Sequence, residues 1–292
     1  MAINLRTFDS VGPNTPRPYW FYSFQASLLA VRTYLTSGFF LLATLGAGTV
    51  ARAQGTTSSD EPSYRKEFTY GVNFNTQGGL IGGVAVRSTH VLSQDWARFW
   101  SIEGVEVKHP KEQKVVNPNT GGTFVIGKSN YLFVLRPSFG AQRVIFRKAP
   151  ESGVQVNALA GAGPSIGLLM PYYIYYDYTQ RDPNGRPLTS EDIRAEQYDP
   201  FKHSNGSLIV DRAPLFSGAG EFKANIGAHV RGALSFEYGR YRDAVAGIET
   251  GFLFEMYPNR LTILRANTVP DSKLNNRFFP SVYLTLYLGH RS

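Results

Sequence analysis

An alternation of apolar and polar residues, which begins near residue 67 and recurs to the end of the chain, constrains the fold most. The first segment carries an apolar residue at every second position: Phe68, Tyr70, Val72 and Phe74. The last segment repeats this spacing with Val282, Leu284, Leu286 and Leu288. Because successive side chains of a β-strand point to opposite faces, the pattern predicts strands with one apolar and one polar face.

Eight segments show this alternation. They lie at 67–75, 80–89, 97–108, 130–147, 153–177, 223–241, 246–257 and 279–290. The third segment is ambiguous, because Glu103 and Glu106 have opposite parity. The fourth contains Pro137, which cannot donate a hydrogen bond to a neighbouring strand, so we expect a bulge between residues 137 and 142.

The connections between these segments differ in length at the two ends. Three long loops, at 109–129, 178–222 and 258–278, fall at one end, and three short links, at 90–96, 148–152 and 242–245, fall at the other. Short turns on one side and long loops on the other are typical of outer-membrane barrels. The sequence therefore predicts an all-β fold, an eight-stranded antiparallel transmembrane β-barrel with up-and-down meander order, over residues 65–292.

A soluble sandwich or a lipocalin-like barrel is the alternative, because burying the apolar face inside would give the same alternation. Charged residues make up only 18% of the chain and aromatic residues 14%, which favours an apolar exterior. Aromatic residues also cluster near predicted strand ends, where membrane barrels carry interfacial belts. The predicted membrane-interface aromatics are Tyr172, Tyr173, Tyr175, Tyr176, Phe278 and Phe279.

The first 53 residues have the features of an export signal. An apolar run at 38–50 is too short to span a bilayer as a helix, and Ala51-Arg52-Ala53 follows it as a small-x-small cleavage site. We expect cleavage before Gln54, with 54–64 as a flexible periplasmic segment; a helical N-terminal anchor is the alternative. The residues before 31 are long for a leader, which raises the hypothesis of a later translation start.

The polar faces of the predicted strands place several charged residues in the barrel interior. The predicted lumen charge network is Arg136, His229, Arg231, Glu237, Glu249 and Glu255, with Glu103 or Glu106 as a further member. Unpaired buried charge is costly, so these cations and carboxylates are expected to pair. A plug of structural ion pairs is the favoured interpretation, and a gated ion path is the alternative.

The signal ending at Ala53, the alternating strands and the final segment from Phe279 to Leu288 resemble the small outer-membrane β-barrel proteins common in Bacteroidota-type Gram-negative bacteria, with OmpA/OmpX-like architecture. The resemblance implies a non-catalytic outer-membrane protein with a structural or accessory role in the cell envelope. It implies contacts with outer-membrane lipids, recognition of the last strand by the barrel-assembly machinery, and partners bound through extracellular loops, including a larger envelope complex. Gly289-His290-Arg291-Ser292 follow where such barrels usually end on an aromatic residue.

Two other functions remain open: a narrow channel for ions or small solutes, and a lipid A-modifying hydrolase. A hydrolase would need a His and a Ser oriented by a carboxylate. The available histidines are His90, His109, His203, His229 and His290. Ser204 adjoins His203, but neighbours on a strand point to opposite sides, so this pair is weak.

The net charge of +8 comes without a basic stripe, so no nucleic-acid partner is expected. The chain has no cysteine, which excludes disulfides and cysteine-ligated metals, and we expect no metal site and no cofactor. The loop at 178–222 is the predicted interaction surface, or else a disordered exposed loop. Residues 189–196 carry a hydroxyl followed by acids, which predicts the start of a short helix.

Overall fold

The computed structural model describes residues 64–78, 82–147, 153–238 and 244–292. The predicted signal peptide at 1–53, and nearly all of the predicted flexible segment at 54–64, lie outside the described residues. Within the described ranges, no helix is long and apolar enough to cross a membrane. One short α-helix, α1, spans Asp271–Leu274, and a 3-10 turn spans Gly206–Leu208.

Thirteen strands form within the described residues. In chain order they are β1 (Lys66–Asn75), β2 (Gly83–Val91), β3 (Trp96–Val107), β4 (Gln113–Val116), β5 (Thr123–Ile126), β6 (Asn130–Phe146), β7 (Val154–Pro171), β8 (Tyr173–Asp177), β9 (Ile193–Gln197), β10 (Ile209–Arg212), β11 (Lys223–Tyr238), β12 (Ala244–Met256) and β13 (Phe278–Arg291).

Eight of these strands close into a barrel in the order β1-β2-β3-β6-β7-β11-β12-β13, with β13 returning to β1. Every pair is antiparallel, and the barrel strands follow one another in chain order. The closure pairs nine residues, from Glu67 with Arg291 to Asn75 with Tyr283. The predicted eight-stranded antiparallel barrel with meander order is confirmed.

The segment predicted as one strand at 153–177 is two strands, and this prediction was wrong. β7 ends at Pro171, and the chain then leaves the barrel into β8, which pairs with β9 and β10 instead. The apolar alternation continues across this boundary, because β8 buries every second residue in a core of its own. The alternation of apolar and polar residues therefore does not indicate that the chain passes from the barrel into a second sheet.

The bulge expected between residues 137 and 142 is absent. The register of β6 against β7 is the same at Leu135 and Phe139, and it shifts instead between Val144 and Phe146. Pro137 stands opposite Pro164 in this register, so neither residue has an N–H for the ladder, and pairing with β7 is interrupted there. The proline removes hydrogen bonds without inserting a residue.

Strands β4, β5, β8, β9 and β10 form an ordered structure at the long-loop end, which we call the extension. β8 lies between β9 and β10, and β4 pairs with β5 as a hairpin. The extension has an apolar core of its own, formed by Phe124, Tyr131, Met170, Tyr172, Ile174, Tyr176, Tyr198 and Ile209. The helix predicted at 189–196 is wrong, because residues 193–197 pair with β8 along their whole length.

Candidate functional site

Large apolar side chains cover the outside of the barrel. Ile226 and Phe252 are 72% and 70% exposed, respectively. Other members of this outer face, drawn from the remaining strands, are Tyr70, Val84, Trp100, Phe139, Val154 and Leu286. The side chains that alternate with them point into the lumen and are largely polar, so the barrel is apolar outside and polar inside.

Three arginines and three glutamates form a continuous chain of ion pairs in the lumen. We call it the lumen charge chain; its order is Arg87, Glu249, Arg231, Glu103, Arg136, Glu255. Because the two signs alternate and are equal in number, the chain is electrically neutral. All but Arg87 are more than nine-tenths buried.

Arg136 lies between Glu103 and Glu255 in this chain, and its guanidinium group donates to both carboxylates. Its Nη1 donates to Glu103 Oε1 at 2.9 Å, and its Nη2 and Nε donate to Glu255 at 2.8 and 3.2 Å. Arg136 and Glu103 are direct cross-strand partners on β6 and β3, whereas Glu255 lies on β12 across the lumen. The bidentate bond therefore connects opposite walls of the barrel.

Arg231 holds the other half of the chain. Its Nη2 donates to Glu249 Oε1 at 2.6 Å, and its Nη1 reaches Glu103 Oε2 at 3.3 Å. The Tyr283 hydroxyl accepts from Arg231 at 2.7 Å and donates to Glu249 at 2.7 Å. Arg87 donates to the second oxygen of Glu249. Hydrogen bonds thus accompany the buried charges throughout, as burial of charge requires.

A second, smaller ion cluster lies at the short-link end of the lumen, where β13 ends. Arg291 donates to Glu237 at 2.6 Å and to Glu67 at 2.9 Å, and its guanidinium lies 4.1 Å from the centre of the Tyr64 ring. Glu237 was predicted in one network with the other lumen charges. It belongs instead to this separate cluster, because it sits near the short-link end of β11.

Arg136, Arg231, Glu249 and Glu255 are predicted lumen residues, and the structure brings these four together. Arg87 is a lumen residue that is absent from the predicted network, although the alternation of β2 indicates it: Val84 and Val86 face outward, so Arg87 faces inward. Of the ambiguous pair, Glu103 enters the lumen. Glu106 lies on the outer side, because the buried Val105 and Val107 take the inner positions on either side of it.

His229 is predicted in the charge network but pairs with hydroxyls. Its Nε2 lies 2.7 Å from Ser138 Oγ, and its Nδ1 lies 3.0 Å from Ser165 Oγ. A histidine next to a serine is the arrangement of a nucleophilic site. Here His229 and both serines are buried inside the barrel wall, at 5% exposure or less. Both ring nitrogens are occupied by hydroxyls, which fix the imidazole in place.

The lumen is apolar between the charge chain and the long-loop end. The segment between β12 and β13 folds inward and packs Leu261, Ile263 and Leu264 against the barrel wall. The wall residues of this apolar cap are Val105, Val107, Leu132, Val134, Leu169, Tyr257 and Phe279. The amide of Asn275 holds the segment by accepting from the N–H groups of Ile263 and Leu264 at 2.8 and 2.9 Å.

The predicted membrane-interface aromatics divide into two groups. Phe278 is exposed on the outer face, and Tyr173 and Tyr175 are half-buried. The prediction is wrong for Tyr172, Tyr176 and Phe279: these side chains are buried, the two tyrosines in the core of the extension and the phenylalanine in the apolar cap. Aromatic residues at the end of a strand occur both in buried cores and at membrane interfaces, so the residue type alone does not predict which environment they occupy.

In the extension, the buried His203 pairs with a carboxylate. His203 Nε2 lies 2.9 Å from Glu196 Oε1, and its Nδ1 accepts from the Asp199 N–H at 3.0 Å. Desolvation raises the pKa of Glu196, but hydrogen bonds from Lys202, Tyr178 and His203 outweigh it and lower this pKa to about 2. Both ring nitrogens of His203 are engaged, and Ser204 is exposed beside it, so the two residues do not form a nucleophile and base.

Among the residues that the structure describes, no group of three or more His, Cys, Asp or Glu side chains could hold a metal ion. The predicted absence of a cofactor remains a prediction.

No known protein family and no curated protein matches the sequence. Solved structures of small eight-stranded outer-membrane barrels are similar to it in fold. Ail, the attachment invasion locus protein of Yersinia pestis, is 11% identical, with 78% of this chain and 97% of that chain covered at a TM-score of 0.32. Neisserial surface protein A is 9% identical, with 78% and 95% covered at 0.33. Outer membrane protein W of E. coli is 14% identical, with 78% and 98% covered at 0.31.

Proposed function

We propose that this protein is a non-catalytic outer-membrane barrel whose lumen is closed and whose extension binds partners outside the cell. The observation that carries the proposal is the combination of a filled barrel interior with an ordered extension at one end. A scaffold that holds loops in one conformation lowers the entropy lost when a partner binds. The role is structural or accessory, within the envelope or a larger envelope complex.

The dimensions of the apolar outer face support a membrane location. On β13, exposed residues alternate from Phe278 to Leu288, over ten residue steps. At a rise of about 3.4 Å per residue and a tilt of about 40°, this stretch is about 26 Å tall. An outer-membrane barrel carries an apolar band of about 25 Å, so the exposed surface matches the hydrocarbon layer.

The packing of the lumen favours a closed barrel over a channel. The neutral lumen charge chain crosses from wall to wall, and the apolar cap lies between it and the extension. An ion would have to break buried ion pairs and then pass Leu261, Ile263 and Leu264, which are at most 4% exposed. Both steps carry a large desolvation cost.

The positions of the histidines favour a non-catalytic role. His229 has neighbouring serines but lies inside the filled lumen, and both nitrogens of His203 are occupied within the extension. A lipid A-modifying site would need a reactive hydroxyl within reach of the outer leaflet. The proposed partners of the barrel are outer-membrane lipids and the barrel-assembly machinery. The proposed partners of the extension are proteins or glycans.

Single cysteines test the location and orientation, because the native chain has none. Asn184→Cys is placed at an exposed tip of the extension, and Ser93→Cys is its matched control in the turn between β2 and β3. A membrane-impermeant maleimide added to intact cells should label the first variant alone, and permeabilised cells should label both. Labelling of Ser93→Cys in intact cells, or recovery of the protein in the soluble fraction, would overturn the proposal.

Planar-bilayer recordings of the purified barrel test closure. We expect no conductance steps from the native protein. Reproducible single-channel steps would assign the channel function instead.

A further inference from the structure

A cavity of about 790 Å³ lies between the outer wall of the barrel rim and the extension. Glu106 and Tyr131 form its barrel side, and both point away from the lumen, because their neighbours Val105, Val107 and Leu132 line the interior. The extension supplies the other walls through Lys114, Tyr172 and Arg212. Its volume is in the range of small-ligand sites.

Cations without carboxylate partners surround this cavity. No salt bridge within the described residues joins Lys108, Lys114 or Arg212 to an acidic side chain, and all three are exposed. Three carboxylates line the cavity, and two of them are already engaged. Glu112 accepts from Lys128 Nζ at 2.9 Å and from the His109 N–H at 3.0 Å, and Asp211 accepts from the Thr123 N–H at 2.8 Å. Glu106 is the one carboxylate among the described lining residues without an ion pair, so the three unpaired cations outnumber it and the cavity favours an anion.

His109 supplies an independent sign of a missing ligand. The residue lines the cavity and is 97% buried, since its exposed fraction is 3%. Its Nδ1 accepts from the Lys111 N–H at 3.2 Å, whereas its Nε2 has no partner. Desolvation and the Lys111 ammonium lower the pKa of His109, so the ring is neutral and Nε2 carries the proton. A buried donor without an acceptor is rare in a finished structure.

Aromatic side chains also line the cavity. Tyr131 and Tyr172 are buried, and Lys128 Nζ lies 4.5 Å from the centre of the Tyr131 ring. The half-buried Tyr175 is therefore the lining tyrosine that offers its ring to a ligand. A tyrosine offers an apolar ring to the carbon-bound face of a sugar and a hydroxyl to its polar edge. Unpaired lysine and arginine side chains bind phosphate oxygens through charge-assisted hydrogen bonds. Together these groups suit a phosphate carried on a sugar ring.

We infer that this cavity binds a phosphorylated saccharide, with the phosphate between Lys108, Lys114 and Arg212 and an oxygen of the ligand accepting from His109 Nε2. Two sources offer this chemistry: the headgroup of an outer-leaflet glycolipid, and a soluble sugar phosphate. The glycolipid source rests on the proposed function, because it requires the extension to face the outer leaflet. Binding by the purified protein does not.

Calorimetric titration of the full-length, folded protein in detergent tests the inference, with a hexose 1-phosphate as the probe and the unphosphorylated hexose and inorganic phosphate as controls. We expect the hexose phosphate to bind and each control to bind at least tenfold more weakly. Arg212→Gln should weaken binding about tenfold, because it removes one charge-assisted hydrogen bond. Arg186→Gln, which changes an exposed cation of the extension outside the cavity, should leave affinity unchanged.

His109→Phe separates the unpaired donor from the shape of the ring, and it should weaken binding without removing the cavity. Arg212→Gln keeps the test valid if the buried substitution impairs folding. Nanodiscs with and without lipopolysaccharide then distinguish the sources: binding of the soluble probe that lipopolysaccharide blocks assigns the headgroup, and binding that it leaves unchanged assigns a soluble ligand. Equal affinity for hexose and hexose phosphate, or no effect of Arg212→Gln, would overturn the inference, whatever the orientation experiment shows.

Discussion

The lumen and the extension are two interiors built by one chain on opposite principles. The middle of the lumen is filled by ion pairs among arginine and glutamate, whereas the extension is filled by tyrosine, phenylalanine and isoleucine. The difference follows from what lies outside each region. The barrel wall turns its apolar side chains outward, which leaves the inward positions for polar groups, while the extension turns its polar side to water and must bury apolar groups.

A β-structure can therefore fill its interior in two ways, with apolar side chains or with paired charges. In the extension, burial of apolar surface stabilises the fold directly. In the barrel, the apolar side chains lie on the outside, which faces lipid in the proposed membrane location, and the interior needs only to satisfy its charges and fill its volume.

Removal of one arginine from the lumen charge chain should have the largest effect. Arg136→Ala leaves Glu255 buried without an ion-pair partner and leaves Glu103 with Arg231 alone, and it should destabilise the barrel by about 3–5 kcal/mol. Urea unfolding of the protein in lipid vesicles, followed by tryptophan fluorescence, measures the change. Arg98→Ala, on an exposed position of β3, is the control and should leave the midpoint nearly unchanged. Equal midpoints for the two variants would show that the chain contributes little.

The core of the extension should respond to the loss of apolar volume. Ile209 is fully buried, and Ile209→Ala should destabilise the extension by about 3 kcal/mol through the cavity that it leaves. Protease cleavage between residues 178 and 222 should accelerate, while the heat-dependent gel mobility of the barrel should persist. Val210→Ala, a half-buried neighbour on the opposite face of β10, should have a much smaller effect. Simultaneous loss of barrel mobility would show that the two interiors unfold as one.

Acid should loosen the extension through Glu196. The folded pKa of about 2 lies below the ordinary value of 4.5, so the contribution of this carboxylate is fully present above pH 4.5 and is lost as the pH falls towards 2. The near-ultraviolet circular dichroism of the tyrosines should decline over this window. Glu196→Gln should flatten the decline, and the exposed Glu191→Gln should not. An unchanged profile in Glu196→Gln would assign the acid sensitivity to other groups.

The smallest effect is expected where an ion pair lies in water. Arg147 and Asp95 are 2.7 Å apart at the short-link end, but their side chains are 46% and 56% exposed. Arg147→Ala should change the free energy of unfolding by less than about 1 kcal/mol. The same urea titration as for Arg136→Ala measures it. If Arg147→Ala lowered the free energy of unfolding as much as Arg136→Ala, burial would not determine how much an ion pair contributes to stability.

The sequence predicts the barrel well and the extension poorly, for a physical reason. The face of a strand on which a residue lies follows from the alternation of its immediate neighbours, so the inward positions of Arg136, Arg231 and Glu255 can be predicted from the sequence around them. The pairing of β8 with β9 and β10 joins residues far apart in sequence, and no local periodicity marks it. Tyr172 shows the limit: the same residue at the same strand end can face a membrane or a core.

The proposed ligand-binding cavity is even harder to predict from the sequence. His109 stands out only when its Nε2 is found without a partner, and that depends on the fold of the loop around it. Lys108, Lys114 and Arg212 look like ordinary exposed cations in the sequence, because their common cavity is created by the extension packing on the barrel rim.

The lumen charge chain also determines how the strands can align. Its six members lie on β2, β3, β6, β11 and β12, so it is complete only when these five strands have their native stagger. A slip of β6 by one residue would turn Arg136 onto the apolar outer face and leave Glu103 facing a leucine or a proline. The wall hydrogen bonds tolerate such a slip, and the charges do not. The ion pairs thus favour the native register of the closed barrel over a register shifted by one residue.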